Sequence, residues 1–271
     1  MEPGCDAVER ATRALNRAVY LLDRELAPAQ KVRAFQRAAE VISALEPADL
    51  ESRVADNTLT ELAGIGRSTG SVISDAVREL PSAYLEDLEQ QSACPPTVGA
   101  GLREQIRTDL HCHTTWSDGG ASVAEMVATA MDLGHDHLAI TDHSPRLTVA
   151  HGLSVEGLSR QLDEIDSLRE QVAPFRILTG MEVDILVDGT LDLPDEALER
   201  LDLVVASVHS KLRMDAKEMT RRMVRAVASP HVDILGHCTG RKITGTGRPP
   251  SAFDAEIVFA ACARFGTAVE I

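Results

Sequence analysis

No apolar run in this 271-residue chain reaches the ~18 residues needed to cross a bilayer, so no transmembrane helix is expected. The opening residues, Met1-Glu-Pro-Gly-Cys-Asp6, carry neither a basic segment nor an apolar stretch, so no secretory signal is expected and the location is read as cytoplasmic. Cysteine is scarce. Residues 5, 94, 112, 238 and 262 are odd in number and widely scattered, which fits reduced thiols rather than a disulfide framework. Positive charge is outnumbered: 27 Lys and Arg stand against 42 Asp and Glu, a net −15. Such a balance argues against nucleic-acid binding through the overall field. Residues 1–100 hold 10 basic and 16 acidic side chains, and the remainder 17 and 26, so neither half is a basic module. A local group such as Lys31, Arg33 and Arg37 reads most simply as a solvated helix face. Internal repeats and low-complexity tracts are also lacking. The length allows one large domain and a small one, and the apolar content of 44% is ordinary for a globular protein.

What the chain does have is histidine and acid at strand ends. In Thr108-Asp109-Leu110-His111-Cys112-His113, side chains two apart share a face of a strand. Asp109, His111 and His113 therefore point one way, and Leu110 and Cys112 the other. Two imidazoles on one strand face suit a divalent metal and fill an apolar core poorly. Later runs repeat the device: Leu138–His143, Phe175–Glu182, Leu203–His209 and Val232–His237 each end in His or Glu. Helix-length segments at 122–133, 155–172, 194–200, 215–228 and 251–265 separate the strands. Ligand-type residues at the carboxyl ends of successive strands are what a parallel βα barrel presents at its active rim. The last segment, 267–271, reads as another strand, and the chain stops there, so the sequence is expected to be a fragment.

The first 92 residues read as all-helical. Val8, Leu15, Val19 and Leu22 recur at helical spacing. Pro28 opens a second helix with Val32, Phe35, Ala39 and Ile42 as its stripe, and Pro47 ends it. Then comes a helix near Leu59, a tight Gly64-Ile65-Gly66 turn, and a helix from about Ser68. Glycines there let the backbone approach a ligand, and amides at a helix start can hold phosphate. Gly64, Gly66 and Arg67 are thus candidate phosphate contacts. Residues 93–105, rich in Pro and Gly, read as a linker, and 106–271 as the alternating β and α domain.

Asp109-Leu-His111-Cys-His113-Thr114, Ser117-Asp118-Gly119, Ile140-Thr-Asp-His143-Ser144, Gly180-Met-Glu182, Ser207-Val-His209-Ser210 and Leu235-Gly-His237-Cys-Thr-Gly-Arg241 together resemble the PHP (polymerase and histidinol phosphatase) family. The resemblance covers roughly residues 106–271. The helical part resembles the helix-hairpin-helix region of X-family DNA polymerases, in Asn16–Leu22 and Val32–Ile42. The whole chain looks like the two ends of a bacterial X-family polymerase joined together, with palm and fingers absent. The fold implied is α/β, a distorted (βα)7-type TIM-like barrel cut at its last strand, behind a small all-α helix-hairpin-helix domain. By the family pattern, His111, His113 and Glu182 would bind one metal, Glu182, His209 and His237 a second, and Asp118 and His143 would contribute to a third. The family completes its cluster with an Asp-x-His pair that this chain does not have. Cys238 stands where polymerase-linked members tend to have proline.

Among the other candidates, Asp109 is read as support for the ligands, and Glu270 as facing the barrel in the same role. Cys112 is read as packing and Cys238 as a weak contact. His135, His137 and His231 are read as surface or structural. His151, Lys211 and Arg241 lie in loops over the mouth, and Arg241 can grip a phosphate oxygen in a fork. An imidazole-rich set favours zinc, manganese or iron over magnesium. Two to three such ions, two of them ~3.5–4 Å apart, would activate water at neutral pH and stabilise a pentavalent phosphorus. No Ser-His-Asp or Cys-His nucleophile is then needed. The expected function is metal-dependent hydrolysis of a phosphoester, with Glu182, His209 and Arg241 as catalytic residues. Three readings stay open for the substrate. One is a DNA 3′ end (exonuclease or 3′-phosphatase), with DNA held by the helix-hairpin-helix domain. The second is a small monoester such as histidinol phosphate. The third is a nonenzymatic DNA-binding or scaffold protein with an incomplete site. The sequence does not state the oligomeric state.

Overall fold

The computed structural model describes residues 6–91, 100–242 and 247–271. The chain divides into two compact units, Met1–Ala100 and Gly101–Ile271.

The first unit is helical: α1 Ala7–Arg24, α2 Ala29–Ser43, α3 Pro47–Asp56, α4 Arg67–Val77 and α5 Ala83–Gln91. Asp6 starts α1 by accepting the Glu9 amide at 2.8 Å. The buried stripe of α1 is Ala7, Ala11, Leu15, Ala18, Leu21 and Leu22, with Val8 and Val19 packed partly buried at its edge. Small alanines let α2 approach, and Phe35 and Ile42 pack into the same core with Val72 and Ile73 of α4. Pro47 does more than end α2: it occupies the first turn of α3, where its missing N–H costs nothing. The expected helix at Leu59 is only a 3₁₀ turn, Leu59–Glu61. Gly64 takes a φ of +94°, and Gly66 precedes α4 with its amide on Thr69 Oγ1 at 2.8 Å. Cys5 and Cys94 lie outside the described residues. Residues 93–99 of the stretch expected as a linker also lie outside them. Its remainder is not all coil, because Ala100–Arg103 forms one turn, α6.

The second unit alternates β and α: β1 Thr108–Cys112, α7 Val123–Asp132, β2 His137–Ile140, α8 Val155–Val172, β3 Arg176–Asp184, α9 Asp195–Leu198, β4 Leu203–Ser207, α10 Ala216–Val227, β5 Ile234–Leu235, α11 Ala255–Phe265 and β6 Ala268–Val269. Ser122, Ser154, Asp215 and Asp254 each cap the helix that follows. All five pairings are parallel, and the strands lie in sequence order from β1 to β6. This is the curled half of a TIM-like barrel.

Leu138, Ile140, Ile177, Met181, Val183, Val204 and Ala206 pack against the helices. The alternate positions, including Glu182, Asp184 and Ser207, take the other face. Gly180 is required there. A Cβ on it would stand 2.8 Å from Thr141 Cγ2 and 3.0 Å from two strand carbonyls. No helix among the described residues is long and apolar enough to cross a membrane.

Candidate metal centre

Five imidazoles close a ring around one buried carboxylate. Centroid distances run His237–His111 5.7 Å, His111–His113 5.3 Å, His113–His143 4.3 Å, His143–His209 5.1 Å and His209–His237 5.2 Å. Glu182, 1% exposed, sits inside. Its Oε1 lies 2.7 Å from His237 Nε2, 3.2 Å from His209 Nε2 and 3.4 Å from His111 Nε2. Its Oε2 lies 2.8 Å from His143 Nδ1 and 3.6 Å from His113 Nε2. Each residue comes from the carboxyl end of a different strand or the turn just after it, except that β1 supplies two. Period-two alternation explains His111, His113, His143, Glu182 and His209. His237 is different. It has the parity of Leu235, which faces the helices, so it reaches Glu182 only because β5 ends and the chain turns at Gly236.

Three groups of donor atoms converge within 4.8 Å of one another: His111, His113 and Glu182; His113, Asp118 and His143; His143, Glu182 and His209. The first set is as expected from the sequence. In the third, His143 stands where His237 was expected, because His143 lies deeper (its side chain is 9% exposed against 44%). Within the ring, His111 Nε2, His113 Nδ1, His143 Nδ1 and Glu182 Oε2 are buried without a hydrogen-bond partner. Orphaned donors and acceptors at such density are costly unless something satisfies them. Buried nitrogen and oxygen atoms converging in this way fit divalent cations.

Two carboxylates behind the ring fix ring tautomers. Glu270 Oε1 lies 3.0 Å from His111 Nδ1, and Glu270 Oε2 accepts the His237 amide at 2.6 Å. Asp184 Oδ1 lies 3.0 Å from His209 Nδ1 and accepts the His209 amide at 3.2 Å. Each pairing assigns the proton to Nδ1 and turns Nε2 toward Glu182. Burial opposes a charged His111, yet the carboxylates of Glu182 and Glu270 outweigh it and push its pKa up to about 10. Burial likewise opposes a charged His209, which Asp184 and Glu182 push up to about 9. His113 goes the other way, lowered by burial and by the neighbouring His143. Glu182 is held far below the usual carboxylate range: burial would raise it, but the imidazoles of His111, His143, His209 and His237 gathered around it prevail. In the ion-free protein His111 and His209 take protons in place of a cation.

Two further residues brace the rim. Asp142, fully buried, accepts Thr114 N at 2.8 Å, Thr114 Oγ1 at 2.7 Å, Gln161 Nε2 at 2.6 Å and the Ser117 hydroxyl. This ties the loop bearing Asp118 to α8. Arg222, 2% exposed, donates to the Leu186 carbonyl at 2.8 Å, the Ser210 carbonyl at 2.8 Å and the Ile185 carbonyl. It clamps the segments that follow Asp184 and His209.

The remaining candidates are placed as follows. Asp109 is exposed and caps the His111 amide at 3.1 Å, so it supports backbone rather than a ligand ring. Arg241 is exposed on a cavity of about 540 Å³ shared with His237 and Glu270. Cys112 donates to the Ala139 carbonyl, and burial pushes its thiol up to about 12. Cys238 is buried, which raises its thiol pKa. His151 ends a 3₁₀ turn with a φ of +57° and is exposed, and His231 lies 3.5 Å from Asp195. Gly64, Gly66 and Arg67 are exposed on the first unit. Sequence reasoning missed Asp184, Asp142 and Arg222. Asp184 was findable, being two residues from Glu182 on one strand.

A parallel βα sheet whose strand ends converge a carboxylate and five imidazoles defines a barrel-type domain with groups of residues that could hold a metal ion. Residues 109–242 match the family described as PHP domain, and the second unit carries that domain. The chain is 48% identical over 139 residues to the DNA polymerase/3′-5′ exonuclease PolX of Bacillus subtilis, covering 51% of this chain and 24% of that protein. It is 32% identical over 168 residues to a probable phosphatase of Thermoanaerobacter sp. (strain X514), covering 60% and 63%. Against a probable phosphatase of Shewanella baltica (strain OS195) it is 31% identical over 175 residues, covering 62% of each. The chain thus spans about a quarter of the first relative and under two thirds of the other two.

Proposed function

We propose that this protein is a metal-dependent phosphoesterase that hydrolyses phosphoesters at DNA 3′ ends. The observation that carries the reading is Glu182 enclosed by five imidazoles with buried, unpartnered atoms turned inward. His111, His113 and Glu182 would hold one ion, and His143, Glu182 and His209 another. Asp118 with His113 and His143 supplies a third set of donors. Bound divalent ions, zinc, manganese or iron, supply Lewis-acid polarisation of phosphoryl oxygens and lower the pKa of water.

The chain's own residues do the rest. Glu182 spans both donor sets with its two oxygens. Glu270 and Asp184 hold protons on His111 Nδ1 and His209 Nδ1 and so leave each Nε2 free to coordinate. Asp142 holds the Asp118 loop in place. Arg241 can reach a non-reacting phosphate oxygen from the cavity it shares with His237. The similarity to a protein named as a 3′-5′ exonuclease favours a DNA end. Gly64, Gly66 and Arg67 would then contact the strand's phosphates through backbone amides and one guanidinium.

The name shared by the other relatives, probable phosphatase, favours a second reading: a small monoester such as histidinol phosphate. The test uses a 5′-labelled single-stranded oligonucleotide and histidinol phosphate, each with manganese or zinc. Stepwise shortening from the 3′ end, lost in Glu182→Ala and His111→Ala and after chelation, supports the first reading. Turnover of histidinol phosphate alone supports the second, and turnover of neither removes both.

A further inference from the structure

The chain is acidic overall, yet the loops beside His209 and His237 are not. The loop after β4 carries Lys211 and Arg213, and the loop after β5 carries Arg241, Lys242 and Arg248. Between residues 210–215 and 238–251 these five cations face one acid, Asp215, whose carboxylate caps α10 by accepting the Lys217 amide at 2.9 Å. All five cations are exposed, and none has an ion pair among the described residues.

The described parts of the two loops are joined to each other. Ser251 Oγ donates to the Leu212 carbonyl at 2.9 Å, and the Ser251 amide to the Thr239 carbonyl at 2.7 Å. Leu212 packs so close to Gly240 that a Cβ there would stand 2.8 Å from Leu212 Cδ2. Arg248 donates Nε to the Gly240 carbonyl at 2.7 Å and pairs its backbone with Lys242. Beneath, Arg222 holds the Ser210 carbonyl, and Lys211 is kept at a φ of +53°, a conformation non-glycine residues adopt rarely. These hydrogen bonds tie the segment bearing Lys211 and Arg213 to the segments bearing Arg241, Lys242 and Arg248.

One phosphate at the metal centre cannot use five cations spread over two loops. Cations left over beside a phosphoester site match further phosphates of an extended substrate, and such remote contacts supply binding energy for the reaction. We infer that Lys211, Arg213, Arg241, Lys242 and Arg248 form a subsite for the non-reacting phosphates of a single-stranded nucleic-acid end. The subsite selects an oligonucleotide over a phosphate monoester. The inference rests on the phosphoesterase reading above and adds the residues that set its substrate length.

The test measures fluorescence anisotropy of a labelled decathymidylate with the full chain, ion-free and with manganese, from 50 to 300 mM salt. Charge reversal in Lys211→Glu/Arg213→Glu should weaken binding at least tenfold. It should also flatten the log–log salt slope by about 1.4, since each lost phosphate contact on a single strand removes ~0.7. Lys242→Gln alone, a milder change, should flatten it by about half as much, which keeps the test open if the double variant misfolds. An unchanged affinity and slope in both overturns the inference, as would be found if the first unit alone held the strand. Equal competition by inorganic polyphosphate of matched charge also overturns it, by removing the nucleic-acid preference. Hydrolysis of 4-nitrophenyl phosphate by the wild type separates the two claims: its presence beside unaltered strand binding sinks only the subsite, and its absence together with no oligonucleotide cleavage sinks the phosphoesterase reading itself.

Discussion

Glu270 Oε1 and His111 Nδ1 lie 3.0 Å apart, although His111 lies on β1 and Glu270 directly follows β6, the two outermost strands of a six-stranded sheet. A flat sheet would separate β1 and β6 by five strand spacings of ~4.8 Å each. The sheet is therefore curled until its ends share a hydrogen bond, and that bond orients a residue of the imidazole ring. Glu270→Ala should weaken zinc or manganese binding by ~10–100-fold, as loss of a carboxylate behind a histidine ligand generally does. Glu270→Gln should recover part of that loss, because its carbonyl still accepts from His111 Nδ1. Isothermal titration with each metal reads both, and equal affinities in all three proteins would contradict the assigned role.

Asp184 should behave in parallel on the other side of the ring. Asp184→Asn keeps the shape but loses the charge that holds the His209 proton on Nδ1. Metal affinity should fall by ~10-fold or more. ¹⁵N NMR of the His209 ring provides a direct check, with a mixed tautomer expected in the variant.

Gly236 tests the turn that brings His237 into the ring. A Cβ there would stand 2.3 Å from Ser207 Oγ and 2.8 Å from Val205 Cγ1. Gly236→Ala should cost ~1–3 kcal/mol by overpacking, read from urea unfolding of the ion-free protein. Metal binding should weaken too, because β5 must shift to relieve the clash.

Asp202 gives the pH dependence. Its Oδ2 accepts Thr179 N at 2.9 Å, Thr179 Oγ1 at 2.9 Å and Arg169 Nη2 at 2.8 Å, joining α8, β3 and the turn before β4. Burial would raise its pKa, but these hydrogen bonds and the Arg169 charge leave it lowered. A lowered carboxylate stabilises the fold above its unfolded pKa, ~3.9, and the contribution is lost as pH falls through the folded value. Asp202→Asn should therefore destabilise by ~1 kcal/mol at pH 7, solvent screening of its exposed part keeping the loss small. The gap should close in acid. A gap that stays constant from pH 7 down to the acid limit of folding would rule out this linkage.

Much of this arrangement is legible in the sequence because two periodicities carry it. Alternation on strands sends His111, His113, His143, Glu182 and His209 to one face. Helix-length spacers between the strands then imply parallel pairing. What escapes has identifiable causes. His237 shares the parity of a helix-facing leucine, so only the broken strand at Gly236 explains its place. The α3 helix was hidden because Pro47 looked like a stop and serves as a start. Arg221 and Arg222 are adjacent cations on one helix, and no local pattern tells which one is buried against the carbonyls of Ile185 and Ser210. Asp142 shows no role in the local pattern around His143, because that role depends on Gln161, nineteen residues away on α8.

Anomalous diffraction from crystals of the full chain soaked in manganese or zinc tests the central claim most directly. The account predicts at least two peaks inside the imidazole ring. One should lie among His111, His113 and Glu182, and another among His143, Glu182 and His209, each ~2.0–2.2 Å from its ligand atoms. Both should vanish in Glu182→Ala. A ring that binds no ion at millimolar metal, or peaks that persist without Glu182, would contradict it.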